Sequence, residues 1–538
     1  MATHDTAYDA VVVGAGPNGL VAANRLADAG WSVLLLEQQA DVGGAVRSQR
    51  DVHPDFVHDT FSAFYPLAAV SPSIRSFGLE NHGLEWTHAP AVLGHPTRDG
   101  RWALQHRDRQ LTAGWLDEAH GGDGQLWLDL CTVWDQLGDQ ILGALLTPFP
   151  PVRSGLGALA RLRRAGGLDL VKTFLTPVAD LGRERFGGDG PGLLLAGNAG
   201  HSDIPLESPG SGLFGILMTM LGQTVGFPVP VGGAGELSQA LARRFESLGG
   251  ETRCGQTVTE IVVDGGRARG VITADGERIA ARRAVVADIT APRLFGGLVP
   301  AEHLPARVAR GMKHFQLDPG TVKVDWALSG PVPWASTPAY APGTVHVADS
   351  LDQMSEALGQ VAARAIPASP FMLAGQMTTT DPTRSPTGTE SMWAYAHVPQ
   401  PDPRVRDAGD GSVTGSWDRD DCERFADRMQ ERFERLAPGF GSRVIARRVL
   451  GPHDLEARNA NLVGGSVNGG TSQLQQELFL RPVPGLLGRA ETGIAGLYLG
   501  SSSAHPGGGV HGAPGDNAAR AALFHARIER IRHPRSRG

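Results

Sequence analysis

A chain of 538 residues, 41% hydrophobic and 20% charged, is long enough for a large core and for more than one domain. Its net charge of −7 argues against a nucleic-acid partner, which needs a basic face. Three scattered cysteines (Cys131, Cys254, Cys422) with no Cys-x-x-Cys argue against disulfide-reductase chemistry and cysteine-held zinc or iron–sulfur sites, and no metal is expected. Met1–Ala7 is short and polar and runs into an apolar segment, so a cytoplasmic location is the expectation.

The first expected element is the strand from Tyr8 to Val13, followed by Gly14-Ala15-Gly16-Pro17-Asn18-Gly19, a helix to about Ala29 and a second apolar run ending at Glu37. This βαβ pattern binds a dinucleotide: Gly14 makes the turn, Gly16 lets the backbone approach a pyrophosphate, and Gly19 lets the helix pack on the sheet. The positive end of the helix, from Asn18, faces the phosphates, and Glu37 accepts from the ribose hydroxyls. Gln38 follows it, and then Gly43, Gly44 and Arg47; the arginine reaches phosphate or a ring edge, or else forms a surface ion pair.

Residues 112 to 186 read as mainly helical, with Trp115, Leu116, Trp127, Leu130 and Trp134 as apolar contacts. Residues 211 to 231 are very apolar but too short and too interrupted by Gly222, Gly226 and Pro228 to span a membrane. They form a buried helix, or line a lipophilic channel or dip into a membrane face. Pro230 to Pro292 carries Gly232 and Gly233, a helix from Ser238 to Leu248, a hairpin turning at Asp264-Gly265-Gly266, and a strand ending at Asp288. Residues 305 to 440 mix strands such as Thr321–Leu328 with Pro-rich loops and a charged helix near Asp418 to Arg435, expected to be a solvated face. Gly496–Ala519 reads as strand, glycine-rich loop and helix, before a basic tail, Arg527–Arg537, that is a solvated terminus or touches anionic lipid.

The Gly43-Gly44 pair with Arg47, and above all Gly500…His505-Pro506-Gly507-Gly508-Gly509-Val510-His511…Asn517, resemble FAD motifs. The closing segment is similar to that of the phytoene desaturase and carotenoid isomerase group within the amine-oxidase-like flavoproteins, nearest to its broad bacterial desaturase-like set. The resemblance covers three blocks, Tyr8 to about Pro72, Pro230 to Pro292 and about Ala446 to Ala522, and lapses between them. It implies an α/β protein, α+β overall, with a Rossmann-like FAD-binding domain from residues 1–75, 230–300 and 446–538. A mixed sheet and helical substrate domain, 76–229 and 301–445, is inserted.

The cofactor implied is noncovalent FAD. In relatives the residue matching Val258 lends its backbone to the adenine, and the Gly232–Gly233 pair lies near substrate and flavin. Gly500 serves the ribityl phosphate, and the Pro506–Val510 turn and the helix carrying Asn517 flank the ring. His58 and Asp59 fall where relatives bring the chain past the flavin, and His505 and His511 bracket the triple glycine. Lys323 falls in a strand where some amine-oxidase-like enzymes hold a lysine. These five are the proton-handling candidates, each histidine having a structural alternative; Tyr65 and Trp326 line the substrate pocket or fill core.

The resemblance implies an FAD-dependent dehydrogenase or desaturase that takes a hydride from a hydrophobic small molecule. No second strand–glycine–helix unit is evident for a nicotinamide nucleotide, so the electrons go to oxygen or a quinone. The alternatives are an oxygen-using amine or alcohol oxidase, a redox-neutral isomerase, and, remotely, a binding protein on the same scaffold. Peripheral membrane contact is a further expectation. The Ser-Ala-Phe-Tyr segment after Asp59 and the polar Val510-His511 turn depart from carotenoid desaturases and open the way to an oxygen- or nitrogen-bearing substrate.

Overall fold

The computed structural model describes residues 7–97, 99–162 and 166–532. Strand Ala7–Val13 is flanked by two parallel neighbours, Val33–Leu36 and Arg278–Ala287. Glu251–Arg253 and Leu497–Leu499 extend the parallel set on either side, and the antiparallel hairpin Val258–Asp264/Arg267–Thr273 completes the sheet. Alternation along the first strand divides two cores. Ala10 and Val12 pack with the helices Pro17–Asp28, Gly235–Ser247 and Ala513–Arg532, while Val11 and Val13 pack with Ile261, Val271 and Phe295 beyond the other face. A parallel sheet covered on both faces explains why Val33–Leu36 is apolar at every position.

Two close approaches fix where the helices begin. A Cβ on Gly19 would lie 1.9 Å from the Gly14 carbonyl oxygen, and one on Gly515 would lie 1.9 Å from that of Asn18. The first helix therefore seats directly on the turn that precedes it, and the last helix seats on the first.

The second sheet has seven strands in the order Val444–Leu450, Gly320–Leu328, Glu390–Val398, Met372–Gln376, Pro342–Val347, Ala91–Pro96 and Trp102–Gln105. All pairs are antiparallel except Pro342–Val347 with Ala91–Pro96. Helix Arg419–Leu436 buries Phe425, Met429 and Phe433 against Val322, Val324 and Trp326, together with Asp421 and Arg432, and leaves most of its charges outside, so the charged segment is amphipathic. On the other side the helices within 109–224 cluster around Trp127, Leu194 and Met220. Ser211–Thr224 is the apolar helix read from the sequence; it ends at Gly226, whose φ is +72°. Of the basic tail, the part beyond residue 532 lies outside the described residues.

Candidate active site

The turn after the first strand opens into a cavity of about 750 Å³, the more polar of the two that meet here, lined by Gly14, Gly16, Asn18, Glu37, Gln38, Val258, Ser501 and Ser502 among others. Gly14 has φ +96°, which excludes a side chain there at little cost only for glycine. The helix starts with Pro17 in its first turn after an extended Gly16 and has no side-chain cap. Pro17 has no N–H and the Gly19 amide is taken by Asp288, so in the first turn the Asn18 amide and the positive end of the helix are what is left for an anion. Gly43 lies behind this surface: its amide donates to the Ala15 carbonyl at 2.8 Å and braces the turn, while Gly44 and Ala45 reach the cavity wall.

Glu37 is held from both sides. Its Oε2 accepts from the Ala15 amide at 2.8 Å and its Oε1 from the Gln39 amide at 2.9 Å, which leaves further lone pairs facing the cavity. A second acid shares the site. Asp288, at the end of strand Arg278–Ala287, is buried, and its Oδ2 accepts from the Gly19 amide at 3.0 Å. Burial, with the Glu37 charge adding to it, pushes the Asp288 carboxyl up to about 7, while the hydrogen bonds from Gly19 and Asn18 oppose the rise.

An apolar cavity of about 350 Å³ adjoins the polar one, and Pro17, Asn18, Ala45, Leu462, Val467 and Ser502 belong to both walls. Its apolar lining includes Phe61, Phe64, Tyr65, Phe214, Leu217 and Met218. Helix Ser211–Thr224 therefore serves both readings of its sequence: Ile216, Met220 and Leu221 fill core, while Phe214, Leu217 and Met218 face the cavity. Pro506, Gly508, Gly509 and Val510 close another side. The polar groups that reach this cavity include Lys323, Asn198, His201 and Glu477. Lys323 donates to the Asp59 carbonyl at 3.0 Å and pairs with Asp325, which Arg448 also holds at 2.8 Å. Burial lowers the lysine's pKa against the pull of Asp325.

Several expected site residues are placed elsewhere. Asp59 turns away into a buried ion-pair group: its Oδ1 accepts from Ser48 Oγ at 2.7 Å, the Ala234 amide at 2.8 Å and Arg384 at 3.0 Å. His58 Nε2 bonds the Trp326 carbonyl at 3.1 Å, and burial keeps its imidazole neutral. Trp326 packs on the far face of its sheet, against Phe433 and Phe440. Strand alternation accounts for Trp326: Lys323 points to the cavity, and the odd step to Trp326 reverses the face. Gly232 donates to Asp381 at 2.8 Å, and Gly233 abuts Ser48; they brace the ion-pair group.

Arg47 bonds the Arg458 carbonyl at 2.8 Å and lies over Phe61, so Arg293 and Arg458, neither of them in a quoted motif, are the arginines in the polar wall. Gly500 packs against Val286 and Ala518 behind the Ser501–Ser502 wall, and Gly507 backs onto Glu477. His505 and Asn517 line a separate cavity with Phe149 and Phe524. His511 does reach the apolar cavity, but both ring nitrogens are engaged: Nδ1 accepts from the Ala513 amide at 3.1 Å, so Nε2 carries the proton toward the Gly508 carbonyl at 3.2 Å. Burial lowers its pKa to about 4, and a neutral clasp of the glycine loop is the role this geometry gives it.

The model of the flavin containing amine oxidoreductase family matches residues 18–292. The chain belongs to that family. It is 28% identical to mouse (Mus musculus) pyridine nucleotide-disulfide oxidoreductase domain-containing protein 2 over 559 aligned residues, covering 95% of this chain and 92% of that one. It is 25% identical over 300 residues to the lycopene-forming phytoene desaturase of Pseudescherichia vulneris, covering 55% of each. These similarities support the desaturase-like group. Among solved structures, an oxidoreductase from Methanosarcina mazei superposes with a TM-score of 0.60 at 15% identity, over 96% of this chain and 99% of that one. Cyclohexylamine oxidase from Brevibacterium oxydans superposes at 0.56 and 14%, over 97% and 99%. The protein is a flavin-dependent oxidoreductase of mixed α/β fold.

The residues present fit a flavin dinucleotide. Side chains at Gly14, Gly16 and Gly44 would fill the cradle: a Cβ on Gly16 would lie 2.7 Å from Asp288 Oδ2 and one on Gly44 2.9 Å from the Gly16 Cα. Asp288, Arg458, Asn198, His201 and Glu477 are the site residues that motif reading missed. Asp288, Arg458 and Glu477 stood within the resembling blocks but outside the quoted motifs, and Asp288 sits at the strand end where a ligand-facing position is expected.

Proposed function

We propose that the chain is an FAD-dependent dehydrogenase or oxidase that takes a hydride from a C–H bond of a hydrophobic small molecule and hands the electrons to oxygen or a quinone. The observation that carries this reading is the seam. A glycine-floored polar cavity, with an acid placed for a ribose, meets an apolar cavity across six shared residues. When bound, FAD supplies the hydride acceptor. The Asn18 amide and the positive end of helix Pro17–Asp28 would hold the diphosphate and Glu37 the ribose, while Tyr65, Phe214, Leu217 and Met218 orient the substrate and exclude water. Noncovalent attachment is part of this reading: Cys131, Cys254 and Cys422 line neither cavity, which leaves no thiol for a cysteinyl link.

Among the described residues no helix is long and apolar enough to cross a membrane. Val152, Leu156 and Leu159 on helix Val152–Leu162 are each more than 60% exposed, and such a stripe supports peripheral contact of a cytoplasmic protein with a membrane face. The test of the function is the visible spectrum of the purified protein before and after acid precipitation. A flavin band released to the supernatant, with FAD recovered, supports the reading. A colourless protein that rejects added FAD overturns it.

A further inference from the structure

Glu477 is an acid in the wall of an otherwise mostly apolar chamber. It comes from the loop between Gly465 and Pro482, it is 7% exposed, and it presses on the glycine turn that walls the same cavity. A Cβ on Gly507 would lie 3.3 Å from its Oε1 and 3.4 Å from its Oε2.

The two oxygens differ. Oε1 accepts from Arg481 Nη1 at 2.8 Å. Arg481 is fully buried and also donates to the carbonyls of Ser502, Thr471, Asn468 and Gly470, so the same guanidinium ties the acid to Ser502 in the seam between the cavities. Oε2 meets only a long bond, 3.4 Å, from the Leu478 amide among the described residues. A buried carboxyl oxygen without a good donor costs about 1–3 kcal/mol. Asp203 nearby, by contrast, has both oxygens satisfied, by Thr471 Oγ1 and the Ser472 amide, each at 2.7 Å.

We propose that Glu477 is the catalytic base of this site, and that its partner is an N–H or O–H on the carbon to be oxidised. The proposal rests on the flavin-oxidoreductase reading and names the substrate class within it: a lipophilic amine or alcohol. An N–H or O–H satisfies Oε2 in the bound state, whereas a bare hydrocarbon buries that oxygen with nothing to accept from. As the C–H pair leaves as hydride to oxidised FAD, the N–H or O–H bond breaks. The proton goes to Glu477, and the carbon–heteroatom double bond forms. FAD is reduced by two electrons, later passed to oxygen or a quinone.

Other charged or titratable groups bear on this carboxyl. Burial raises it to about 7 against the pull of Arg481, with a smaller push from Asp203, and Lys323, His201 and His511 stand around the same cavity. The carboxylate form is the active one, so the rate of substrate oxidation rises with pH through that range.

The test compares wild type with Glu477→Gln, which keeps the volume and an acceptor for Arg481, and with Glu477→Asp. Anaerobic flavin bleaching is followed from pH 5.5 to 9 with straight-chain C6–C12 amines, alcohols and the matching alkenes. Infrared difference spectra of the same proteins follow carboxyl protonation independently of turnover. The proposal expects bleaching by an amine or an alcohol, whichever arm it is. It further expects a limiting rate at least 100-fold lower and nearly pH-independent in Glu477→Gln, partial recovery in Glu477→Asp, and a titrating carboxyl band missing from Glu477→Gln. Bleaching by alkenes alone, unchanged rates in Glu477→Gln, or a yellow protein that no member of the series bleaches overturns the proposal and leaves the flavin reading standing. A colourless protein sinks the flavin reading itself.

Discussion

Asp288 gives the sharpest test of the cofactor cradle, because a carboxyl buried among amides meant for an anion is poised against ionisation. Its folded value of about 7 lies far above the ordinary 3.8. The sign follows from linkage. Between those values the unfolded chain has already lost this proton while the folded chain keeps it, so stability falls as pH rises from about 4 to about 7 and then levels. At 1.36 kcal/mol per pH step, the loss reaches roughly 4 kcal/mol. Asp288→Asn removes the titration and keeps an oxygen for the Gly19 amide. With an unfolding entropy of about 2 cal/mol/K per residue, a chain of this length has ~1.1 kcal/mol/K, so the apoprotein's Tm should rise by about 4 °C at pH 8 and hardly change at pH 4.5. FAD affinity, followed by quenching of flavin fluorescence, should weaken for wild type above pH 7, where the carboxylate faces the diphosphate, and stay flat for the variant. Parallel pH curves for the two proteins, in Tm and in affinity, would refute the reasoning.

Three further outcomes follow from the geometry. Gly19→Ala places a Cβ 1.9 Å from the Gly14 oxygen, so the helix must move off the turn and the protein should purify without flavin, as its absorbance would show. Lys323→Met leaves Asp325 with Arg448 alone in a buried site, and loss of one partner of such a pair costs about 3 kcal/mol, read as a fall of about 3 °C in Tm. Leu217→Asp puts a charge on the apolar wall and should abolish bleaching by lipophilic substrates while the flavin spectrum stays intact.

The cofactor cradle was legible in the sequence because backbone makes it. Gly14, Gly16, Gly19 and Glu37 sit within one short stretch, and each has a steric or hydrogen-bonding reason tied to its neighbours in the chain. The same holds for the Pro506–Val510 turn and for the hairpin at Gly265. The apolar cavity has no such local grammar. Phe61, Asn198, Leu217, Lys323 and Glu477 meet only because two sheets and a helical layer close around them, and each alone reads as core or surface. Motif reading also misjudged direction. His58, Asp59 and Trp326 stand in the right segments, but alternation along its strand sends Trp326 into a core, while the Trp326 carbonyl takes His58 and Arg384 takes Asp59, partners distant in sequence.

That ion-pair group explains why so much charge lies next to an apolar chamber. Asp59, Arg384 and Asp381 are all buried, and Gly232 and Ala234 donate into the same carboxylates. The group therefore joins the segment after Gly44, the start of helix Gly235–Ser247 and the end of the second sheet, three pieces distant in sequence. A hydrophobic patch at this junction would hold them together but would not fix their register; directional bonds do. Lys323 hangs from the same junction through the Asp59 carbonyl, so the one ammonium in the cavity is positioned by the network that binds the layers. Asp59→Asn should accordingly loosen the chamber rather than remove a proton carrier. It should lower Tm and weaken binding of lipophilic ligands together, leaving the pH profile of bleaching in place, whereas a shifted profile at unchanged Tm would return Asp59 to the chemistry.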